Sequence, residues 1–274
     1  MAQFRVCPDS GFFFDRSAES LMKANAVAGV VALLIAGIMA LGVVLTRWQE
    51  VHLLPADLFY QVLTAHGINA LIFWLIFFEI AIMYFASSVL LRTRIAAPGW
   101  AWTGFILMII GAVMNNVAVL QGNSSVMMTS YVPMQAEPHF YLGLILFAVG
   151  ALIGCFVFLG TLVIAKEDKT YDGSVPLVTF GALTACIIAV FTIACGAIIL
   201  VPTFLWSIGY INHIDAEMYR IIWWGLGHSS QQINVAAHVS VWYLIIGVLF
   251  NARPMSEKVS RSAFLLYIFF LQLA

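Results

Sequence analysis

Two histidines interrupt long apolar runs of this chain: His66 in Thr64-Ala65-His66-Gly67, and His228 in Trp223-Trp224-Gly225-Leu226-Gly227-His228. An ionisable ring is costly to hold in hydrocarbon, so such a residue either works or hydrogen-bonds to a facing helix. Imidazole nitrogen ligates haem iron and copper, and both metals stay redox-active in a dry site. His66 and His228 are thus the candidate metal ligands. Gly67 beside His66, and Gly225 and Gly227 before His228, remove side-chain bulk where a flat macrocycle or a second metal would approach the backbone. Of Trp223 and Trp224, one is expected to pack and the other to wall a cofactor, and Trp224 is taken as the contact.

Position 232 lies four residues after His228 and on the same helical face, so Gln232 is placed at the same site. Its alternative role is to satisfy a neighbouring helix. Glu79 lies thirteen residues beyond His66, and His238 ten beyond His228, about 20 Å and 15 Å further along their helices. A buried carboxyl beside an imidazole makes a workable proton relay, and equally a structural hydrogen-bonded pair.

The elements that must position these groups follow from composition. With 63% hydrophobic and 9% charged residues and a mean hydropathy of +1.00, the 274 residues exceed what one water-facing globule can bury. The chain reads as a polytopic transmembrane helical bundle, all-α. Seven spans are expected near 23–46, 62–91, 99–121, 139–165, 177–206, 218–251 and from 262 to the end, because backbone groups in lipid must be satisfied within the segment. Of the twelve Lys and Arg residues only Arg47 and Arg220 fall on one side, which places the N-terminus in the cytoplasm. The second and sixth spans then enter from outside near Tyr60 and Glu217, and His66 and His228 share a depth of about 10–15 Å.

Residues 1–22 read as a cytoplasmic lead-in or a disordered tail, with Asp15 or Ser17 as a cap, and 23–274 as one membrane domain. The first twenty residues carry Asp9, Asp15 and Glu19 and are not a signal peptide. The four cysteines form no CxxC pair, which argues against a disulfide framework or zinc knuckle. His52, His139 and His213 fall near the outer surface as ordinary interfacial residues. The loop at 122–138 is the longest connection, and a loop of that length often carries a role.

At this point the motifs resemble those of the haem-copper oxidoreductases, specifically subunit I of cytochrome c and quinol oxidases and the related nitric oxide reductases. Thr-Ala-His66-Gly is similar to the second-helix motif of the low-spin haem ligand, and Trp-Gly-Leu-Gly-His228 to the sixth-helix motif of the first copper ligand. Ser130-Tyr131-Val-Pro133-Met, with Phe140-Tyr141-Leu-Gly143, resembles the loop and fourth helix of the ba3-type branch. The resemblance implies the first seven of about twelve helices, truncated within the seventh, with the remaining ligands beyond residue 274.

It further implies low-spin and high-spin haem and copper, an electron donor such as cytochrome c, quinol or a copper-bearing subunit II, and a place in the respiratory chain of a prokaryotic cytoplasmic membrane. No nucleic-acid partner is expected. In the oxygen-reducing branches with a Gly-His-Pro-Glu-Val-Tyr sixth helix the residue four after the copper-ligating histidine is a tyrosine bonded to it, while one oxidase branch takes its phenol from the seventh helix; here the residue is Gln232. An amide cannot supply the fourth electron and proton for splitting O2, whereas coupling two NO to N2O needs only two of each. The departure favours NO reduction, the alternative being an oxidase that reduces O2 to water with proton translocation. From another class, a metal-free proton-coupled transporter lined by His66, Glu79, His228 and His238 is the rival, and a non-catalytic di-haem cytochrome a further one.

Overall fold

The computed structural model describes residues 4–271. Seven helices follow one another: α1 (Arg16–Arg47), α2 (Ala56–Val89), α3 (Pro98–Leu120), α4 (Pro138–Glu167), α5 (Leu177–Ser207), α6 (Ala216–Phe250) and α7 (Glu257–Leu271). The first six are long and apolar enough to cross a membrane. The spans expected from hydropathy thus correspond to helices one for one. The last three residues of the expected seventh span, 272–274, lie outside the described residues, as do the first three of the lead-in.

The lead-in is ordered instead of tail-like. Phe4–Val6 and Phe13–Asp15 pair as an antiparallel hairpin, and α1 starts at Arg16 rather than near 23. The cause is capping. Asp15 is buried and its carboxylate accepts from Ala18 N at 3.3 Å and from Ile95 N at 3.2 Å, so one side chain starts α1 and fastens it to the α2–α3 connection. Arg5 on the hairpin and Lys23 on α1 both meet Glu19, at 2.7 and 2.6 Å. The helix therefore runs a charged turn or two past its apolar stretch.

α2 is not a uniform helix. Segments Asn69–Phe73 and Phe85–Val89 are π-helical. A π turn takes up one residue more than an α turn, so each rotates the following face by about 100° relative to an uninterrupted helix.

The helices at the centre of the bundle are α4 and α5, half of whose most apolar stretch is buried, against 17% for α1 and 22% for α6. α3 meets α4 at small residues: a methyl added at Gly104 would stand 2.8 Å from the Gly150 carbonyl, which only a near-contact of backbones explains. Phe147 of α4 fills the space beside α2, its ring 4.7 Å from Phe73 and 5.3 Å from Phe77. α7 is fastened by buried Phe264 and by Arg261, which donates to Ser174 Oγ at 3.3 Å and to the Val175 carbonyl. No disulfide forms among the described residues; Cys186 donates weakly to the Cys155 carbonyl across the α4–α5 contact.

Candidate functional site

His66 is half-buried on α2, and its Nδ1 lies 3.0 Å from the Ala36 carbonyl of α1. A carbonyl only accepts, so Nδ1 carries the proton and the lone pair is on Nε2. A histidine whose one nitrogen donates to a backbone oxygen is fixed in tautomer and ring direction, the usual arrangement for an imidazole that ligates through its other nitrogen. His66 would thus present Nε2 to a metal.

His228 lies in a cavity of about 330 Å³ enclosed by α2, α4, α5, α6 and the 122–138 loop. Its Nε2 is 3.3 Å from the side-chain amide nitrogen of Gln232. A carboxamide can present either its NH2 or its oxygen: with the oxygen turned to the ring, His228 Nε2–H donates to Gln232 and Nδ1 keeps the lone pair that could ligate, whereas with the NH2 turned to it Nδ1 carries the proton. Gln232 does not line the cavity, whereas its neighbours Gln231 and Asn234 do. Gln232 thus lies against His228 rather than in the cavity wall, where the expectation had it pointing at the metal site. Among the described residues no group of three or more His, Cys, Asp and Glu gathers as a metal site.

The two tryptophans differ in placement. Trp223 is buried, stacked edge-on against Tyr131 at 5.5 Å, and Trp224 is half exposed with its ring centre 6.3 Å from that of His228. The glycines depart from expectation. A methyl at Gly67 would meet Met128 Cβ at 3.1 Å, one at Gly225 would meet Cys195 Sγ at 2.8 Å, and the open side of Gly227 is filled by the Trp223 ring. The space they leave is taken by the chain's own side chains, because close packing of a loop and two helices requires it.

Met128 packs on Gly67 and also lines the His228 cavity, so the loop joins the neighbourhoods of the two histidines. Beyond the family resemblance at Ser130–Met134, sequence reasoning gave the loop's residues no contacts. Tyr219 of α6 shares a 3.0 Å hydrogen bond with Ser130 and lies 3.3 Å from the Thr129 carbonyl, Met127 N donates to Thr64 Oγ1 at 2.9 Å, and Arg220 stands over the Tyr131 ring. Met128 to Tyr131 thereby close one end of the cavity.

At the other end is Glu79, 7% exposed, with Oε1 lacking a hydrogen-bond partner. It lines both the His228 cavity and a second, largely apolar groove of about 760 Å³ that runs to Arg5, Glu19 and Lys23. His238 lines that groove too, but it is exposed and donates from Nδ1 to the Asn234 carbonyl at 2.6 Å. Glu79 and His238 share a groove without forming the hydrogen-bonded pair that was one of the two expectations.

With this geometry established, comparison with known proteins decides the family. The family model described as Cytochrome C and Quinol oxidase polypeptide I matches residues 20–274. The chain belongs to this family. Cytochrome c oxidase subunit 1 of Thermus thermophilus is 28% identical over 222 residues, covering 79% of this chain and 39% of that protein. The chain thus spans about two fifths of the length of that relative. A haem-copper terminal oxidase dimer solved by cryo-electron microscopy matches with a TM-score of 0.84 at 22% identity, covering 93% of this chain and 45% of that chain, a likeness of fold. As a polypeptide I family member with six helices long and apolar enough to cross a membrane, this is an integral membrane protein.

Proposed function

We propose that this chain supplies the first ligands of a haem-copper oxidoreductase subunit I and that the complete enzyme reduces NO to N2O. The observation that carries the reading is the carboxamide of Gln232 on His228 Nε2, at the position where oxygen-reducing relatives are expected to have a phenol. Reduction of two NO to N2O and water takes two electrons and two protons, and haem iron and copper would supply the electrons. His66 would hold the low-spin haem through Nε2, with Gly67 beside it; His228 would hold copper through Nδ1, with Trp224 as a wall of the haem pocket.

Protons would enter along the groove past His238 to Glu79 and cross into the His228 cavity. Support comes from the position of Glu79 in the walls of both spaces, with a carboxylate oxygen that no protein group occupies. Arg5, Glu19 and Lys23 would lie on the cytoplasmic side of a prokaryotic membrane, a reading that the charge asymmetry of the connections supports. Cytochrome c, quinol or a copper-bearing subunit II would be the electron donor.

Oxygen reduction to water is the second reading, favoured by the Thermus relative, which is named a cytochrome c oxidase subunit. Membranes containing the complete enzyme separate the two. N2O formed from NO, with slow or incomplete O2 reduction, supports the first reading; rapid four-electron O2 reduction with no N2O from NO overturns it.

A further inference from the structure

The turn of α2 that carries His66 is braced by an amide pair that no motif contains. Asn69 sits one turn after His66 and opens the first π segment. Its backbone N–H bonds to the carbonyls of both Ala65 and His66, and its side-chain nitrogen donates to the Ala65 carbonyl at 2.8 Å. The same side chain pairs in both directions with Asn116 of α3: Asn69 Nδ2 donates to Asn116 Oδ1 at 2.6 Å, and Asn116 Nδ2 donates to Asn69 Oδ1 at 3.2 Å. Asn116 also donates to the Ala112 carbonyl at 2.9 Å, so it is fixed to its own helix. Asn69 is 1% exposed.

A π turn exchanges i→i+4 bonds for i→i+5 bonds and is held only where its surroundings compensate the poorer geometry. Here the compensation comes from a closed pair of amides in an apolar interior, where leaving either amide unpaired is costly. The azimuth of the His66 ring is set at one end by Ala36 of α1 and at the other by this turn. We infer that Asn69 and Asn116 are positioning residues for His66: through the π turn they set the direction in which Nε2 presents its lone pair. The inference rests on the reading of His66 as the low-spin haem ligand, and the test separates the two.

In the full-length holoenzyme, Asn116→Leu breaks the pair while adding no charge. The expected result is haem content equal to the parent with a displaced or broadened low-spin signal in electron paramagnetic resonance, and faster amide hydrogen exchange confined to residues 65–74. Asn116→Gln, which keeps a carboxamide, should restore most of the parent signal. Asn115→Ala removes the adjacent α3–α4 bond from Asn115 to the Phe140 carbonyl and should leave the low-spin signal unchanged. Should Asn116→Leu not accumulate, Asn116→Ala is read in the same way. A low-spin signal superimposable on the parent in the Asn116 variants, or an equal displacement in Asn115→Ala, overturns the inference. A low-spin signal that survives His66→Ala overturns the ligand assignment itself and the inference with it.

Discussion

The amide nitrogen of Gln232 lies 3.3 Å from Nε2 of His228, one helical turn apart on α6. The pair ties the imidazole to its own helix, and with the carboxamide turned so that its oxygen accepts from Nε2–H it would leave the lone pair on Nδ1. A side chain that orients a ligand acts on metal affinity and on what the ring can transmit, and its loss is felt without any change in the ligand count.

His66→Ala should remove the low-spin haem spectrum of the holoenzyme while the bundle remains inserted. The reason is that Nε2 is the only ligating atom at this position, whereas α2 stays held by Thr64, Asn69 and Gln61, whose amide donates to the Val119 and Leu120 carbonyls at 2.9 Å. Visible spectra together with membrane content of the protein check this. Unchanged six-coordinate haem would refute the assignment.

His228→Ala should abolish turnover and deplete copper while keeping the low-spin haem, because His228 lies in the cavity away from the α1–α2 contact that fixes His66. Metal analysis of the purified variant is the measurement, and copper at the parent level would count against the assignment.

Much of this was legible in the sequence and some was not. Hydropathy places the helices, and the Asp-Arg-Ser start of α1 gives its cap, because both signals are local. The i+4 relation of His228 and Gln232 is local as well. The direction of Glu79 was not readable. Thirteen residues of ideal helix fix one azimuth relative to His66, but the π turn at Asn69–Phe73 lies between them and shifts it by about 100°. Nor was the closure of the loop: Tyr219 and Ser130 are 89 residues apart, and no periodicity links them. The pairing of Asn69 with Asn116 was not readable either, since the two lie 47 residues apart on different helices.

Tyr219→Phe keeps the ring packed against Tyr131 but removes the hydroxyl shared with Ser130 and the Thr129 carbonyl. A loss of about 1–2 kcal/mol is expected from a buried hydrogen bond left unmade. It should appear as faster proteolysis or hydrogen exchange of residues 122–137, with the haem and copper content intact. Exchange equal to the parent throughout that loop would show that the bond does not close the cavity.

Glu79→Gln is nearly isosteric and should fold as the parent does, since Oε1 makes no hydrogen bond to protein. If the carboxyl passes protons between groove and cavity, the amide should slow turnover by about two orders of magnitude, the scale of general acid–base contributions. Electron entry to the low-spin haem should be unchanged. His238→Ala should cost much less, because that ring is exposed in the groove and bonded only to its own helix. Stopped-flow reduction followed by proton-uptake measurement tests both, and full turnover in Glu79→Gln would remove the relay.

On the NO-reducing reading, Gln232 stands where an oxygen reductase with a sixth-helix phenol would carry tyrosine. Gln232→Ala should leave the ligand atoms of His228 in place but free the ring to rotate, lowering copper affinity by about 10- to 100-fold. NO reduction should fall with copper occupancy and recover when copper is supplied in excess. Gln232→Tyr should not confer rapid O2 reduction alone, since a phenol there must meet His228 Nε2 at bonding distance and be served by protons from Glu79. Copper titration of turnover with NO and with O2, in parent and both variants, decides the matter. A Gln232→Ala enzyme that keeps parent copper affinity would show that the carboxamide plays no orienting part, and fast O2 reduction by Gln232→Tyr would show that the phenol alone is what the site lacks.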